Sequence, residues 1–352
     1  MTTGRVEIFR ELASYLRSEK IPSCVLHGIN PESGELGRDL DLYIPDPRHA
    51  FRAAVHFSEI LRRHKVRWIS LMHPIWGPRC IGIQESDLTY WELHTIPRIR
   101  LTWIEFGELF PIQAKDGPHG FGYDPVLWFI KVVLQKHSKS FLRGRPVWIT
   151  FIHDPYVLAH QSEIECEFQK RWAYGAEFIS AMLGPDTEAN LKTRRKGILA
   201  LALGHGIAHP VNAALAGARW LYRKGNIYRC PTMPVIGIDA PMESPALQDI
   251  LTEKLKRVFI KIVVADEPLS WRVRKRMQDG RYLLVFRRDE RGNSQKEVDR
   301  WISIPTAGRE DIAAGVAAIL DCVVEYNKRW ANLYPSSTSL RVMTTASGTG
   351  QQ

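Results

Sequence analysis

Hydrophobic and polar residues alternate with two different periods along the N-terminal third of the chain, and these periods predict a mixture of helices and strands. Apolar side chains recur at helical spacing over residues 5–20 and 50–64. Short apolar runs, which are typical of buried strands, cover residues 24–26, 40–44, 66–72, 80–84 and 88–96. This order of helices and strands predicts a mixed sheet with helices packed on one side.

Two acidic residues lie at the start of the strand predicted at residues 40–44. Because side chains two positions apart on a strand share one face, Asp39 and Asp41 point the same way. Leu40 and Leu42 then point into the core. Neighbouring carboxylates repel each other unless a cation lies between them, and Mg²⁺ is usually held by one or two carboxylates together with substrate phosphates. Such a pair is often just exposed on a strand, so a magnesium site and a solvated pair both stay open.

The segment before this strand has the pattern of a loop that meets a phosphate. Residues 25–28 form an apolar strand that ends in Gly28, where the backbone can approach a ligand closely. The residues that follow are typical of a loop, namely Asn30, Pro31, Ser33, Gly34 and Gly37. This context favours a Mg²⁺ ion that arrives together with a nucleotide.

These residues resemble the nucleotidyltransferase fold of the DNA polymerase β superfamily. The signature of that fold is a hydrophobic strand, a glycine, a loop and then Asp-h-Asp-h, where h is apolar. Here it reads Leu26-His27-Gly28 and Asp39-Leu40-Asp41-Leu42. The chain departs from the signature at Ile29, where many members carry Ser or a second Gly. A closer match is the bacterial subgroup, often encoded near polysaccharide genes, whose loop reads Leu-Arg-Gly and lacks that serine.

The resemblance implies a third carboxylate on a neighbouring strand, and Glu92 is the candidate. It interrupts the apolar run Tyr90–His94, and relatives in the subgroup carry an acidic residue followed by Leu-His at this place. A lone Glu on a strand is more often simply exposed, and Asp87 is the alternative if the strand register differs. His27 and His94 could face the same site, although a hydrogen-bonded structural role is preferred for each.

The function implied by the resemblance is transfer of a nucleoside monophosphate from an NTP to an acceptor hydroxyl or phosphate, with release of pyrophosphate. The acceptor stays open between a sugar or polysaccharide precursor, another small molecule and RNA. Mg²⁺ is the expected cofactor, and its expected ligands, which are also the expected catalytic residues, are Asp39, Asp41 and Glu92. The expected nucleotide-binding residues are His27, Gly28, Asn30, Arg38, Lys131 and Lys136.

A turn-rich connector that begins at residue 116 introduces a helical region. Asp124 and Pro125 are typical of a helix start, as a capping side chain and a first-turn proline. Lys131 and Lys136 begin a basic cluster near the end of this helix. The cluster favours either a solvated helix end or a contact with the phosphates of the substrate. Aromatic and small apolar residues then predict further helices up to residue 224.

The region after residue 230 resembles a thymidylate-kinase-like domain that has lost its phosphate-binding loop. It has the outline of a strand, a tight loop and a helix, and residues 236–239 match the start of a P-loop. Pro245 and Ala246 stand where Gly and the phosphate-binding Lys belong, so phosphoryl transfer is not expected here. A plain structural α/β domain is the alternative.

The predicted fold class is therefore α/β of the α+β kind, with a mixed sheet, a central helical region and a small P-loop-like domain. The predicted boundaries are a nucleotidyltransferase domain at 1–115, a helical region at 116–230, a degenerate kinase-like domain at 231–335 and a disordered tail at 336–352. The tail is assigned from its content of Ser, Thr and Gly.

Composition narrows the class of protein further. The net charge of +10 favours anionic partners, and the basic stretch Arg272–Arg291 is predicted to be either a nucleic-acid contact or a solvated rim. Five scattered cysteines favour a reducing compartment. The absence of a long apolar run predicts no transmembrane helix, so a cytoplasmic enzyme is expected. Two rival functions stay open, namely an inactive nucleotide-binding scaffold or sensor and an RNA-modifying nucleotidyltransferase toxin.

Overall fold

A computed structural model describes most of the N-terminal part of the chain and portions of the remainder. The described residues are 3–72, 77–84, 88–101, 104–135, 154–208, 210–211, 214–215, 217–218, 221, 235–240, 245–256, 261–265, 281–286, 298–306 and 308–333. They form a mixed α/β structure with parallel and antiparallel strands, which confirms the predicted fold class at this level. Within these residues, no helix has the length and apolar character that a membrane crossing requires.

Helices and strands are interspersed along the described residues. Up to residue 135 they are α1 (Thr3–Ser18), β1 (Cys24–Ile29), β2 (Leu36–Tyr43), α2 (Pro47–Arg63), β3 (Trp68–Met72), β4 (Arg79–Ile83), β5 (Tyr90–Ile96), β6 (Arg100–Leu101), β7 (Ile104–Glu105), α3 (Phe106–Leu109), β8 (Lys115–Asp116), a 3₁₀ turn (Pro118–Gly120), β9 (Gly122–Tyr123), α4 (Pro125–Phe129) and a π-helical turn (Ile130–Leu134). From residue 154 they are α5 (Pro155–Ala159), α6 (Gln161–Gln169), α7 (Gly175–Leu183), α8 (Glu188–Ala208), β10 (Val235–Asp239), α9 (Pro245–Lys256), β11 (Lys261–Ala265), β12 (Arg281–Phe286), β13 (Arg300–Ser303) and α10 (Arg309–Leu333).

The chain divides into two compact units, each assembled from several segments. The first unit comprises residues 1–57, 75–78 and 93–223, and the second comprises 58–74, 79–92 and 224–352. The chain therefore passes from one unit to the other first within α2 and later within β5. These units are defined by contacts between residues and do not test the predicted domain boundaries at residues 115, 230 and 335. Those boundaries stay predictions.

The sheet of the first unit has the aspartate-bearing strand inside it. Its strand order is β5-β2-β1-β9-β8. β1 and β2 are antiparallel, whereas β5 runs parallel to β2 and β9 runs parallel to β1. Because β2 has a neighbour on each side, the side chains of β2 on one face can meet side chains from two other strands.

The amphipathic pattern of the N-terminal helix predicts which of its faces is buried. The apolar positions Ile8, Phe9, Leu12 and Leu16 of α1 are all buried. Phe9 stacks on Phe57 of α2, with ring centroids 5.8 Å apart and the rings inclined by 4°. Burying an aromatic side chain of this size stabilises the fold by about 1.5–3 kcal/mol, so this contact helps to hold α1 and α2 together.

The second unit contains a parallel sheet with the strand order β11-β12-β10-β13. Val235, Ile236 and Ile238 of β10 are fully buried. A continuous apolar run of this kind is typical of parallel strands, since helices cover them on both faces. Of the predicted strand, loop and helix, the strand is present as β10 and the helix as α9, whereas residues 241–244 between them lie outside the described residues.

The hairpin of β3 and β4 also belongs to the second unit, although it lies early in the sequence. Trp68 of β3 donates a hydrogen bond from Nε1 to Oδ1 of Asp321 on α10, at 2.8 Å. Trp68 and Ile83 share one buried cluster with Ile236 and Ile319. The hairpin therefore completes the core of the C-terminal α/β structure.

Candidate functional site

The turn at the end of β1 requires a glycine. Gly28 has a φ of +97°, a conformation that other residues rarely adopt. A Cβ atom at this position would lie 1.7 Å from the carbonyl oxygen of Asp39. Gly37 is also close, because a Cβ there would lie 3.1 Å from the carbonyl oxygen of Gly28. The two strands therefore approach each other tightly at the base of the loop.

Asn30 organises the loop between β1 and β2. Its Oδ1 accepts hydrogen bonds from the backbone N–H groups of Glu32 and Ser33, at 2.9 and 3.0 Å. Its own backbone N–H donates to the carbonyl oxygen of Glu35, at 2.9 Å. The side chain of Asn30 thus has a structural role in the loop, and its role in nucleotide binding stays a prediction.

A row of three polar side chains crosses the sheet of the first unit. The register pairs His27 of β1 with Asp41 of β2, and Asp41 with His94 of β5. Side chains at paired positions project to the same face of a sheet. The Nδ1 atom of His94 lies 3.2 Å from Oδ1 of Asp41. The structural role preferred for His94 is therefore a hydrogen bond to the aspartate.

A lysine binds the other oxygen of the same carboxylate. The Nζ atom of Lys131 lies 3.1 Å from Oδ2 of Asp41, and both side chains are largely buried. Lys131 lies in the π-helical turn that continues α4. Asp124 caps α4 by accepting hydrogen bonds from the backbone of Val126 and Leu127, at 2.9 and 3.1 Å. The predicted cap is therefore present. A π-helical turn often occurs at a functional site.

These contacts keep Asp41 ionised. Burial alone would raise the pKa of the Asp41 carboxyl, but the hydrogen bond with His94 and the charge of Lys131 outweigh it. As a result, the pKa of Asp41 lies well below its ordinary value. The repulsion expected between paired aspartates is thus offset by a lysine of the protein itself.

Asp39 precedes Asp41 by two positions on β2 and so shares its face. It is partly exposed. Arg38, which was predicted to bind nucleotide, lies between β2 residues 37 and 39, but its side chain is outside the described part of the structure. Lys136 and Asp87 also lie outside the described residues.

Glu92 is buried, at 6% exposure, within the second unit. Its Oε1 lies 2.5 Å from Nε of Arg79, and it accepts a hydrogen bond from the hydroxyl of Tyr90. A charged side chain in such a position needs a partner of this kind, because an unpaired buried charge is costly. Its predicted role as the third metal ligand stays a prediction. Among the described residues, no three His, Cys, Asp or Glu side chains are grouped so that they could hold a metal ion.

A cavity of about 290 Å³ opens beside the Gly28 loop. Its wall is formed by residues of the loop and its flanking strands, by Trp128 of α4 and by the start of α5. The lining residues are His27, Gly28, Ile29, Asn30, Pro31, Glu32, Glu35, Leu36, Gly37, Trp128, Asp154, Pro155 and Tyr156. Three of the predicted nucleotide-binding residues are thus brought together here, and His27 belongs to both the cavity and the row that contains Asp41.

The charge of the cavity is opposite to that of the chain as a whole. Glu32, Glu35 and Asp154 contribute carboxylates, and no lysine or arginine is among the described residues that line it. Trp128 and Tyr156 pack edge to face with centroids 5.8 Å apart. Trp128 is 5% exposed, and its Nε1 has no hydrogen-bond partner in the described part of the chain. The cavity therefore suits a ligand without negative charge.

The sequence did not single out these aromatic residues, because their spacing is that of ordinary core positions.

The basic stretch Arg272–Arg291 is described only as the backbone of β12, so its predicted nucleic-acid contact lies outside what the structure describes. The predicted tail at 336–352 lies outside the described residues as well.

In comparisons with known proteins, no protein-family model, curated protein or solved structure matches the chain.

Proposed function

We propose that the protein is a Mg²⁺-dependent nucleotidyltransferase with the fold of the DNA polymerase β superfamily. It transfers a nucleoside monophosphate from an NTP to an acceptor hydroxyl or phosphate. The observation that carries this proposal is the ionised Asp41, which lies between His27 and His94 on one face of the sheet and is paired with Lys131, at the base of the Gly28 turn. This combination supplies an oxygen ligand for a hard cation and donors for phosphate oxygens.

Mg²⁺ fits this donor chemistry on the condition that Lys131 leaves the carboxylate of Asp41. Asp41 is ionised, as a magnesium ligand must be, but its two oxygens already meet His94 and Lys131. Asp39 and Asp41 would hold the ion, and Lys131 would give up its place on the carboxylate. When bound, Mg²⁺ neutralises charge on the triphosphate and orients it.

The residues of the chain itself divide the substrates between two places. Lys131, once displaced from Asp41, would bind the phosphates of the NTP. His27 lies on β1, at the position paired with Asp41 of β2. The cavity has carboxylates and would repel a triphosphate, so it takes an acceptor without negative charge, which reacts through a hydroxyl. Because His27 lines the cavity and lies opposite Asp41, the acceptor and the phosphates are brought together at this residue. Holding two reactants in this way accounts for much of the catalysis of such reactions.

The test is pyrophosphate release from each of the four common NTPs in the presence of Mg²⁺ and a set of candidate acceptors. Asp41→Asn should lower the rate by about a hundredfold or more, since it removes a charge that the transition state needs. Asp46→Asn is the matched control, because Asp46 is exposed and accepts a hydrogen bond from the backbone of Arg48, which Asn can also do. Equal rates for the wild type and Asp41→Asn would contradict the proposal.

A second candidate is an inactive nucleotide-binding scaffold or sensor. The observation in its favour is that both oxygens of Asp41 already have partners within the chain, a lysine and a histidine, so the carboxylate needs no metal for compensation. Equilibrium dialysis with a labelled, non-hydrolysable NTP distinguishes the two. Binding that is independent of Mg²⁺, without pyrophosphate release from any NTP, favours the scaffold.

A further inference from the structure

Three carboxylates without an ion-pair partner line the cavity beside the Gly28 loop. They belong to Glu32, Glu35 and Asp154, and within the described residues no lysine or arginine pairs with any of them. One oxygen of Asp154 accepts a hydrogen bond from the backbone N–H of Val157, at 3.0 Å, but this bond brings no positive charge. The cavity therefore carries negative charge that the protein itself leaves unpaired.

The grouping of these acids around one cavity distinguishes them from single acids on the surface. An exposed carboxylate without an ion pair is ordinary, and Glu177 on α7 is an example. A cleft that is lined by charges of one sign concentrates the electric field and attracts ligands of the opposite sign. Tyr156 on the cavity wall responds to this field. Burial raises the pKa of the Tyr156 hydroxyl, and nearby carboxylates, among them Asp124 and Asp154, raise it further.

The indole of Trp128 is a second, independent feature that points to a ligand. Trp128 lines the cavity and is 5% exposed, and its Nε1 has no hydrogen-bond partner among the described residues. A buried N–H group without an acceptor is costly, so an acceptor atom on a ligand would stabilise it. The rings of Trp128 and Tyr156 also suit a positive charge, because the faces of indole and phenol rings attract ammonium groups.

The cavity suits an organic cation better than a metal ion. In the described part of the chain, no three His, Cys, Asp or Glu side chains are grouped so that they could hold a metal ion. The volume of about 290 Å³ is instead close to the lower end of pockets for small organic ligands, which is roughly 300 Å³. Carboxylates spaced along the wall of such a cavity can meet a cation whose charge lies on an organic group.

We propose that this cavity binds a small ammonium alcohol, that is, an organic cation that carries a hydroxyl group. The carboxylates of Glu32, Glu35 and Asp154 and the rings of Trp128 and Tyr156 bind the ammonium group, and the hydroxyl oxygen accepts a hydrogen bond from Nε1 of Trp128. The further role of this ligand as the acceptor rests on the proposed function. In that role its hydroxyl oxygen forms a bond to the α-phosphorus of the NTP, pyrophosphate leaves, and the hydroxyl proton passes to solvent.

Titration calorimetry of the full chain, without NTP or Mg²⁺, tests the binding. The probes are choline, which is a quaternary ammonium alcohol, ethanolamine, which is a primary one, and 3,3-dimethylbutan-1-ol, which has the shape of choline without its charge. At least one of the two cations should bind about tenfold or more tightly than the neutral alcohol, since only a cation meets the carboxylates and the ring faces. Binding of neither cation above the level of the neutral alcohol overturns the proposal.

A pair of substitutions tests the carboxylates. Glu32→Gln with Glu35→Gln removes two charges and keeps the backbone hydrogen bonds that Glu32 and Glu35 make with Asn30. It should weaken binding of the cation about fivefold, because a contact with an exposed carboxylate contributes modestly, and leave binding of the neutral alcohol unchanged. Glu177→Gln is the matched control, because Glu177 is exposed and does not line the cavity, and it should bind like the wild type. Undiminished binding of the cation by the double variant overturns the proposal.

The substitution Trp128→Phe tests the hydroxyl contact, because it keeps an aromatic ring and removes the N–H donor. It should weaken binding of choline more than binding of tetramethylammonium, which has no hydroxyl. Equal weakening of both would overturn the contact between Nε1 and the hydroxyl. Melting curves show whether this variant folds, and the two carboxylate substitutions decide the proposal if it does not. Binding of a cation without release of pyrophosphate from any NTP supports the site and removes only its role as the place of the acceptor.

Discussion

Gly28 in the first unit and Gly237 in the second each lie in a buried strand. The sequence analysis assigned each of them to a phosphate-binding motif. Gly28 is required by the backbone, since its φ is +97° and a Cβ would strike the carbonyl oxygen of Asp39. Gly237 is required by a side chain, because a Cβ there would lie 2.4 Å from the ring of Trp301. The same residue type in a motif can thus reflect the path of the chain or the packing of a neighbour.

The surroundings of the two glycines differ as well. At Gly28 the strands separate into a loop beside a cavity, and the neighbouring strand carries the ionised Asp41. At Gly237 the strand continues regularly to Asp239 between two parallel neighbours, and the glycine makes room for an indole. The phosphate-site interpretation of Gly28 and the kinase-like interpretation of the second unit both stay predictions.

The substitution Gly28→Ala should have the largest effect. The strained φ costs about 1–3 kcal/mol, and the clash with backbone atoms adds to it, so the loss of stability should be at least ~3 kcal/mol. Gly4→Ala in α1 is the matched control, because no atom lies within 4 Å of a Cβ there. It should keep or raise stability by up to about 1 kcal/mol. Urea unfolding of both variants measures this, and a Gly28→Ala protein as stable as the wild type would contradict the tight turn.

Asp41→Asn should lower the free energy of unfolding by about 2–3 kcal/mol. This loss is somewhat smaller than the loss caused by removing one partner of a fully buried ion pair. The reason is that Lys131 and His94 lose the charge that they now face. This expectation differs from simple relief of repulsion between paired aspartates, which would raise the melting temperature. Lys131→Met added to Asp41→Asn should recover part of the loss, because the unpaired cation is removed. Additive losses in the double variant would show that the two side chains do not interact.

Gly237→Ala should lower stability by about 1–3 kcal/mol, as is usual when a packed core receives an extra methyl group. The clash is with a side chain, so a smaller neighbour can relieve it. In a Trp301→Leu background the same substitution should have almost no effect. No background substitution of a side chain should rescue Gly28→Ala in this way. A Gly237→Ala loss that persists in the Trp301→Leu background would mean that backbone geometry, as at Gly28, requires this glycine.

The local features of the fold were predictable because their causes are local. α2 was predicted at residues 50–64 and is found at Pro47–Arg63, since its apolar positions recur at helical spacing. The cap at Asp124 was predictable because a capping aspartate followed by Pro125 is typical of a helix start. The shared face of Asp39 and Asp41 follows from the period of a strand.

The features that depend on distant parts of the chain were not predictable. Nothing in the sequence near Lys131 indicates that it binds Asp41, because the contact depends on where α4 lies against the sheet. The packing of Trp68 on α10 is of the same kind, since it joins an early strand to the last helix. Trp128 and Tyr156 have the spacing of core residues, and their place in the cavity wall follows only from the fold.

The smallest expected effect is a dependence of stability on pH that is specific to the first unit. The pKa of Asp41 is lower in the folded protein than in the unfolded chain, because His94 and Lys131 favour the ionised form. The unfolded chain therefore takes up a proton first as the pH falls, and the stability due to ionised Asp41 is lost in that range. The difference in free energy of unfolding between the wild type and Asp41→Asn should shrink by about 1 kcal/mol between about pH 4 and about pH 3. Urea titrations at these two pH values measure it, and a constant difference would mean that the ionisation of Asp41 is not linked to folding.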